Sequence, residues 1–168
     1  MTHSEQLPAV MNGHSLNGMG SEKSDLVTMT IAGQVFGIPV LQVQDVLNPQ
    51  RITRIPLAPK EVAGALNLRG RIVTVIDLRC CLGMPPFESN GKSRMSIVVE
   101  NQGELYSLLV DQIGEVMSLP NADFESNPPT LEKRWRSVAT GIYRLNQSLL
   151  VVLDVSRLLD TVKTEEAA

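Results

Sequence analysis

The stretch VFGIPVLQVQDVL, residues Val35–Leu47, aligns without gaps on a second stretch of the same chain, LYSLLVDQIGEVM, residues Leu105–Met117. The aligned columns match in chemistry as well as in hydropathy, since Phe36 falls on Tyr106. Both stretches are rich in β-branched and aromatic residues, which favour strands. Similarity between two distant segments of one chain indicates an internal duplication.

A second pair of segments supports the duplication. Ile72–Asp77 aligns on Leu149–Asp154, and each is an apolar run that ends in an aspartate. Gly64 precedes the first aspartate at the same spacing at which Gly141 precedes the second. Matched glycines and aspartates arise by chance less readily than matched apolar runs. The sequence therefore predicts two β-rich halves of similar topology, each a small barrel or sandwich.

Local patterns predict an all-β fold with little helix. Val27, Met29 and Ile31 alternate with polar or small residues, which is typical of a half-buried strand. The helical content is expected to consist of short helices and one C-terminal helix, from Ser156 to about Val162. Ser156 is the expected N-cap of that helix, because serine is a favoured capping residue.

Composition divides the chain into three regions. Residues 1–24 are rich in Ser, Asn, Gly and His and show no apolar period, which predicts a disordered N-terminal tail. Residues 25–160 form the predicted folded domain, with one half at about 26–83 and the other at about 95–160. Residues 161–168 are expected to form a short C-terminal tail.

Charge and composition disfavour nucleic acids and membranes as partners. The 168 residues carry a formal net charge of −3, and only 4% are aromatic. A nucleic-acid-binding domain has a basic excess and, for single strands, a platform of stacking aromatics. No apolar run reaches the roughly 18–20 residues of a membrane-spanning helix, and the N-terminus lacks a secretory signal pattern. We therefore expect a cytoplasmic protein without direct membrane insertion.

The residue types that serve catalysis and metal binding are scarce. His3 and His14 are the only histidines, and both lie in the expected N-terminal tail. Cys80 and Cys81 are adjacent, whereas zinc and redox sites use the spacing C-x-x-C. The sequence therefore predicts no metal site, no cofactor and no nucleophile paired with a histidine.

The two repeated aspartates allow two interpretations. As a carboxylate pair, Asp77 and Asp154 could serve the acid–base chemistry of a small hydrolase. Because they recur at the same position of both halves, they fit better as structural residues that cap a turn or helix by accepting backbone N–H bonds. We therefore expect no catalytic residue and no enzymatic activity.

The turn before Ile72 is a candidate binding feature. It reads Arg-Gly at Arg69–Gly70, where the other half has Asn-Gln at Asn146–Gln147. Arg69 is either an ordinary solvated turn residue or, beside the acidic position Asp45, part of a small polar patch on a β surface. The residues alone leave both interpretations open.

Several motifs resemble those of the CheW-like family of bacterial chemotaxis coupling proteins. The resemblance covers about Asp25 to Asp160 and implies a fold of two five-stranded SH3-like β-barrels in pseudo-repeat. The motifs are VQDVL at Val43–Leu47, ITRIP at Ile52–Pro56, NLRG at Asn67–Gly70 and VIDLR at Val75–Arg79, together with Pro59 and Gly64.

The resemblance also implies a function and a site. Proteins of this family are non-enzymatic adaptors that bind the cytoplasmic tips of chemoreceptors and the regulatory domain of a CheA-type histidine kinase, and they form rings with other CheW-like modules. The receptor-binding positions correspond here to Val43, Asp45, Gly64, Arg69 and Gly70. Asp45 stands where a glutamate is common, so its carboxylate reaches one methylene less far.

The kinase contacts are marked less clearly. Leu131, in the loop Pro-Pro-Thr-Leu, is the expected apolar contact with the kinase. A related adaptor in a chemosensory system that controls pili fits the same motifs. A hydrolase and an oligonucleotide-binding barrel are the alternatives from other classes, and the sparse histidines, the net charge and the few aromatics speak against both.

Overall fold

The computed structural model describes residues 22–167, so most of the expected N-terminal tail lies outside the described residues. The described chain forms ten strands, three helices and two 3₁₀ turns, at Val40–Gln42 and Asn121–Asp123. The strands are β1 Lys23–Ile31, β2 Gln34–Pro39, β3 Val43–Leu47, β4 Val62–Leu68, β5 Arg71–Asp77, β6 Met95–Asn101, β7 Glu104–Val110, β8 Gln112–Pro120, β9 Ala139–Arg144 and β10 Leu149–Leu153. The helices are α1 Leu78–Cys81, α2 Lys133–Val138 and α3 Val155–Ala167.

Three hairpins of the fold share one kind of turn. Two-residue loops connect β1 to β2, β4 to β5 and β6 to β7, at Ala32–Gly33, Arg69–Gly70 and Gln102–Gly103. All six residues have positive φ angles, from 50° to 85°. This geometry matches the right-handed twist of the flanking strands, and glycine adopts it at little cost. The turn that the sequence predicts at Arg69–Gly70 is confirmed.

Each of the two five-stranded sheets combines strands from both halves of the chain. The first sheet has the order β8-β1-β2-β10-β9, and the second has the order β3-β6-β7-β5-β4. The strands β1 to β5 of the first half correspond in order to β6 to β10 of the second half. When each strand is replaced by its counterpart from the other half, the order of one sheet becomes that of the other, as the duplication requires. The all-β fold with two five-stranded units in pseudo-repeat is confirmed. The expectation that 26–83 and 95–160 each form a separate barrel is wrong.

The exchange of strands follows from the connection after the second strand of each half. β2 ends at Pro39, and the turn Val40–Gln42 leads the chain into β3 of the other sheet. In the second half Asp111 separates β7 from β8 at the corresponding place. β2 then pairs in parallel with β10, where Val35 lies opposite Leu150. These partners are distant in sequence, so local patterns do not reveal the pairing.

The main hydrophobic core contains side chains of both sheets and of the C-terminal helix α3. Leu158, Leu159 and Val162 of α3 are buried in it. Val162 is only 5% exposed, and the helix continues to Ala167. The expectation that residues 161–168 form a tail is therefore wrong at its first residues, because the apolar face of α3 extends past residue 160.

The repeated aspartates cap helices. The Asp77 carboxylate accepts a hydrogen bond from the Arg79 backbone N–H at the start of α1, at 3.0 Å. The Asp154 carboxylate accepts one from the Arg157 backbone N–H at the start of α3, at 3.1 Å. The structural interpretation of both aspartates is thus confirmed. The expected cap Ser156 is wrong, since the helix begins one residue earlier and Asp154 takes that place.

The N-terminal boundary also differs slightly from the expectation. β1 begins at Lys23, so Lys23 and Ser24 belong to the first sheet rather than to the tail of residues 1–24. Lys23 lies opposite Pro120 of β8. The Glu22 carbonyl accepts a hydrogen bond from the Asn121 N–H at 2.9 Å. Pairing with β8 therefore holds Lys23 and Ser24 in the first sheet.

Candidate functional site

An exposed ion pair joins two strands from opposite edges of the second sheet. Asp45 lies in β3 at one edge, and Arg69 lies in the turn that follows β4 at the other. Arg69 Nη2 and Asp45 Oδ2 are 3.0 Å apart, and the Arg69 side chain is 76% exposed. The sheet is therefore curved enough for one ion pair to connect side chains from its two edges. An exposed pair of this kind contributes only about 0–1 kcal/mol to stability.

The turn geometry presents Arg69 to solvent. Arg69 and Gly70 have φ angles of 52° and 85°. The Gly70 N–H donates a hydrogen bond to the Asn67 side-chain oxygen at 2.9 Å, which closes the turn. A non-glycine residue in the left-handed region is uncommon. An arginine in this place is held away from the sheet with its guanidinium beside Asp45.

Gly64 lies behind this surface and is buried. The segment before β4 crosses β4 there, and Thr53 and Ala65 exchange two backbone hydrogen bonds of 2.8 Å. A Cβ on Gly64 would clash with the Thr53 carbonyl, and its φ of 150° disfavours a side chain as well. Gly64 therefore positions the segment around Thr53 and offers no side chain to a partner.

Val43 and Leu131 occupy different environments. Val43, at the start of β3, is half-buried and packs against the main core, two residues before Asp45 in the chain. Leu131 is 8% exposed and belongs to the same core. This burial leaves the Leu131 side chain little surface for the expected apolar contact with a kinase, and that contact stays a prediction.

A second charged network, which the sequence analysis did not predict, lies beside α1. Arg79 at the start of α1 binds Asp111 with two hydrogen bonds, Nε to Oδ1 at 3.0 Å and Nη2 to Oδ2 at 2.6 Å. Phe87 lies against the guanidinium groups of Arg79 and Arg94, at 5.3 and 5.0 Å from the ring centre. Arg94 in turn pairs with Asp77 at 2.9 Å. The VIDLR motif contains Asp77 and Arg79, but Phe87, Arg94 and Asp111 come from three other segments, so no single motif marks the whole network.

Hydrogen bonding sets the protonation of this network. The hydrogen bond with Asp111 raises the pKa of Arg79 above its usual value. Burial alone would raise the pKa of Asp111, but the hydrogen bonds from Arg79 and from the Ala32 backbone N–H outweigh burial and hold that pKa below its usual value. Both groups are therefore charged near neutral pH, and the network joins the two sheets rather than supplying a proton donor.

Two kinds of site are not found in residues 22–167. No group of three or more His, Cys, Asp or Glu side chains is placed to hold a metal ion. None of the helices in this range is both long and apolar enough to cross a membrane.

Comparison with known proteins places the chain in a family. The family model for the CheW-like domain matches residues 25–163. The chain belongs to the CheW-like family. It is 28% identical over 142 residues to the chemotaxis protein CheW of Bacillus subtilis, which covers 84% of this chain and 90% of that protein. It is 30% identical over 123 residues to Protein PilI of Pseudomonas aeruginosa, which covers 72% of this chain and 67% of that protein.

A solved structure agrees with the family assignment. The crystal structure of the scaffolding protein TtCheW from Thermoanaerobacter tengcongensis superposes with a TM-score of 0.70 at 28% identity, over 78% of this chain and 88% of that one. The CheW-like resemblance is thus confirmed, and with it a chemotaxis coupling or scaffold role. The receptor-binding role of Val43, Asp45, Gly64, Arg69 and Gly70 stays a prediction.

Proposed function

We propose that this chain is a non-enzymatic adaptor that couples chemoreceptors to a CheA-type histidine kinase. In this proposal the cytoplasmic tip of a receptor docks on the surface around Asp45 and Arg69. The kinase regulatory domain binds at other faces, and further CheW-like modules extend the assembly into rings. The protein would then work in the cytoplasm, at receptor arrays beside the membrane.

The observation that carries the proposal is the exposed Asp45–Arg69 pair. Its 3.0 Å contact adds little to stability, yet Arg69 is held in an uncommon backbone conformation with φ of 52°. Arginine is enriched among residues that dominate binding energy. An arginine that is displayed at some conformational cost and is hardly needed for folding fits a binding role.

Removal of the Arg69 side chain tests the receptor site. A titration of a receptor cytoplasmic fragment compares the parent with Arg69→Ala. Arg144→Ala is the matched control, because Arg144 is also exposed and paired with a carboxylate, Glu125, at 3.0 Å. We expect Arg69→Ala to weaken receptor binding at least about tenfold, or about 1.4 kcal/mol, with a nearly unchanged melting temperature. Arg144→Ala should bind like the parent.

Further measurements make the assignment specific. Asp45→Ala should weaken receptor binding in the same direction as Arg69→Ala but less strongly, since Asp45 is the more shielded partner. Binding to a kinase regulatory domain should change little in both variants. Receptor binding of Arg69→Ala that equals the parent's would refute the receptor site, and so would equal loss of both partners through unfolding.

A further inference from the structure

Positive charge is concentrated in one short region of a chain whose net charge is −3. Between Asn48 and Ile72 the only acidic residue is Glu61, which is 3% exposed. The basic side chains of the same region are all exposed, and they are Arg51, Arg54, Lys60, Arg69 and Arg71. The surface of this region is therefore strongly positive.

The fold brings these side chains to one edge of the second sheet. The segment around Thr53 pairs antiparallel with β4 at Ala65, so Arg51 extends from that pair toward the Arg69–Gly70 turn. Arg71 starts the next strand, opposite Leu68. Strand residues advance about 3.3 Å each, so Arg51 and Arg71 both lie within about 10 Å of the turn. We call Arg51, Arg54, Lys60 and Arg71 the basic rim.

The rim charges are not neutralised inside the protein. Among the described residues, the ion pairs are Asp45–Arg69, Arg79–Asp111, Arg94–Asp77, Arg144–Glu125 and Arg157–Asp154. None of the four rim residues takes part in any of them. The corresponding region of the second half has no such excess, since Asp123 and Glu125 lie near its matching strand pair at Ile142. The excess of positive charge is therefore confined to this sheet edge and does not recur at the equivalent place in the other half.

An apolar side chain is exposed in the segment that carries Arg54 and Lys60. Leu57 lies in the loop between Arg54 and Lys60 and is fully exposed, at 103% relative to a reference side chain. Its φ of 65° is in the left-handed region, which is costly for leucine. A fully exposed leucine in this conformation contributes no hydrophobic stabilisation to the isolated chain, because it buries no apolar area. Its position, with a basic residue on either side in sequence, is that of an apolar anchor within a charged contact.

We propose that the basic rim and Leu57 form a docking surface for an acidic segment of the receptor tip. This inference rests on the proposed function, because two of the rim residues, Arg51 and Arg71, lie near the receptor site at Arg69. Rim carboxylates on the partner would accelerate encounter, since charges at the edge of an interface act mainly on the association rate and its salt dependence. An apolar pocket between those carboxylates would receive Leu57.

The test measures association and dissociation rates of a receptor cytoplasmic fragment at low and high salt. The rim variant changes Arg51, Arg54, Lys60 and Arg71 to Gln. The control variant changes four other exposed basic residues that form no ion pair in the described chain, Lys23, Lys92, Lys133 and Arg136, and has the same net charge. A third variant, Leu57→Asn, removes the apolar anchor with a residue that tolerates the left-handed region.

We expect the rim variant to associate about tenfold more slowly than the parent at low salt, within the known range for electrostatic steering. The difference should shrink at high salt, where surface charges are screened, and the control variant should stay within about threefold of the parent. Leu57→Asn should raise the dissociation rate instead. Equal effects of rim and control variants, or no effect of the rim variant, would overturn the proposal.

The outcome separates this proposal from the proposed function. If Arg69→Ala weakens receptor binding and the rim variant does not, the receptor site stands and the docking surface is refuted. If the rim variant loses kinase binding and keeps receptor binding, the acidic partner is the kinase and the proposal is overturned. A parent protein that binds a kinase fragment but no receptor fragment would refute both.

Discussion

Gly64 and Gly141 occupy equivalent places in the two sheets, and a passing backbone segment fills the space that a side chain would need at each. Next to Gly64, Thr53 pairs with Ala65, and next to Gly141, Glu125 pairs with Ile142. A Cβ would clash with the Thr53 carbonyl at the first site and with the Glu125 carbonyl and the Phe124 ring at the second. The duplication thus preserves a close backbone crossing in both units.

Alanine at either glycine should destabilise the protein. We expect Gly64→Ala and Gly141→Ala each to lower the free energy of unfolding by about 2–3 kcal/mol, because the crossing segment must move and its backbone hydrogen bonds weaken. Denaturant titration measures the loss. Gly64→Ala should also weaken receptor binding, since the displaced segment carries Arg51 and Arg54.

The turn glycine provides the matched control. Gly70 also has a positive φ, of 85°, but no atom lies within 4 Å of a Cβ built there. Asparagine tolerates the left-handed region, so Gly70→Asn should cost less than about 1 kcal/mol. If Gly64→Ala is as stable as Gly70→Asn, the close approach of the segment around Thr53 is not the reason that position 64 holds a glycine.

Separate halves of the chain should not fold. Each sheet takes its strands from both halves, so a fragment 1–90 would leave β3 without its neighbour β6, and the β1–β2 hairpin would stand without β8 and β10. A lone hairpin is only marginally stable in water. Circular dichroism on heating should show no cooperative transition for 1–90 or for 91–168 alone, and the equimolar mixture should restore one. Cooperative unfolding of either fragment by itself would contradict the observed topology.

Whether the sequence predicts a feature depends on how far apart in the chain the interacting residues lie. Hairpin turns such as Arg69–Gly70 are encoded in neighbouring residues, and the duplication is visible as similarity between two segments, so the sequence predicts both. The parallel pairing of Val35 with Leu150 is not visible in any local pattern, which is why the prediction of two separate barrels is wrong. The burial of Leu131 is not predictable for a related reason, because an apolar residue in a proline-rich loop can face either solvent or core. The basic rim was visible as a charge excess between residues 48 and 72, but only the fold shows that its members lie at one edge.

The adjacent cysteines should respond differently to replacement. Cys81 is 6% exposed and lies in the main core, whereas Cys80 is half-buried. Cys81→Ser should cost about 1–2 kcal/mol, because it places a hydroxyl in an apolar site, and Cys80→Ser should cost clearly less. Burial raises the pKa of Cys80, so its thiol should react slowly with alkylating reagents at neutral pH. Receptor binding should survive both substitutions, and its loss in a folded variant would give a thiol a functional role.

Stability in acid should depend on Asp111. Its hydrogen bonds with Arg79 and with the Ala32 N–H hold its pKa below the unfolded value despite burial. A carboxyl whose pKa is lower in the folded state stabilises the protein fully above its unfolded pKa of about 3.9 and loses that contribution as the pH falls through the folded pKa. The free energy of unfolding should therefore decrease as the pH falls from about 5 to below 4.

The variant Asp111→Asn measures how much Asp111 contributes to the free energy of unfolding. The substitution leaves Arg79 without its carboxylate partner, and because both side chains are only 14% exposed, the loss at pH 7 should be about 2–3 kcal/mol, between that of exposed and fully buried pairs. Below pH 4 the difference between the variant and the parent should narrow, since the parent's carboxyl is then becoming protonated. Asp45→Asn is the control, because its pair with Arg69 is far more exposed, and it should cost less than about 1 kcal/mol at any pH. A constant gap in the free energy of unfolding between Asp111→Asn and the parent from pH 7 down to pH 3 would contradict this prediction, because it would show that the charge of Asp111 contributes nothing to stability.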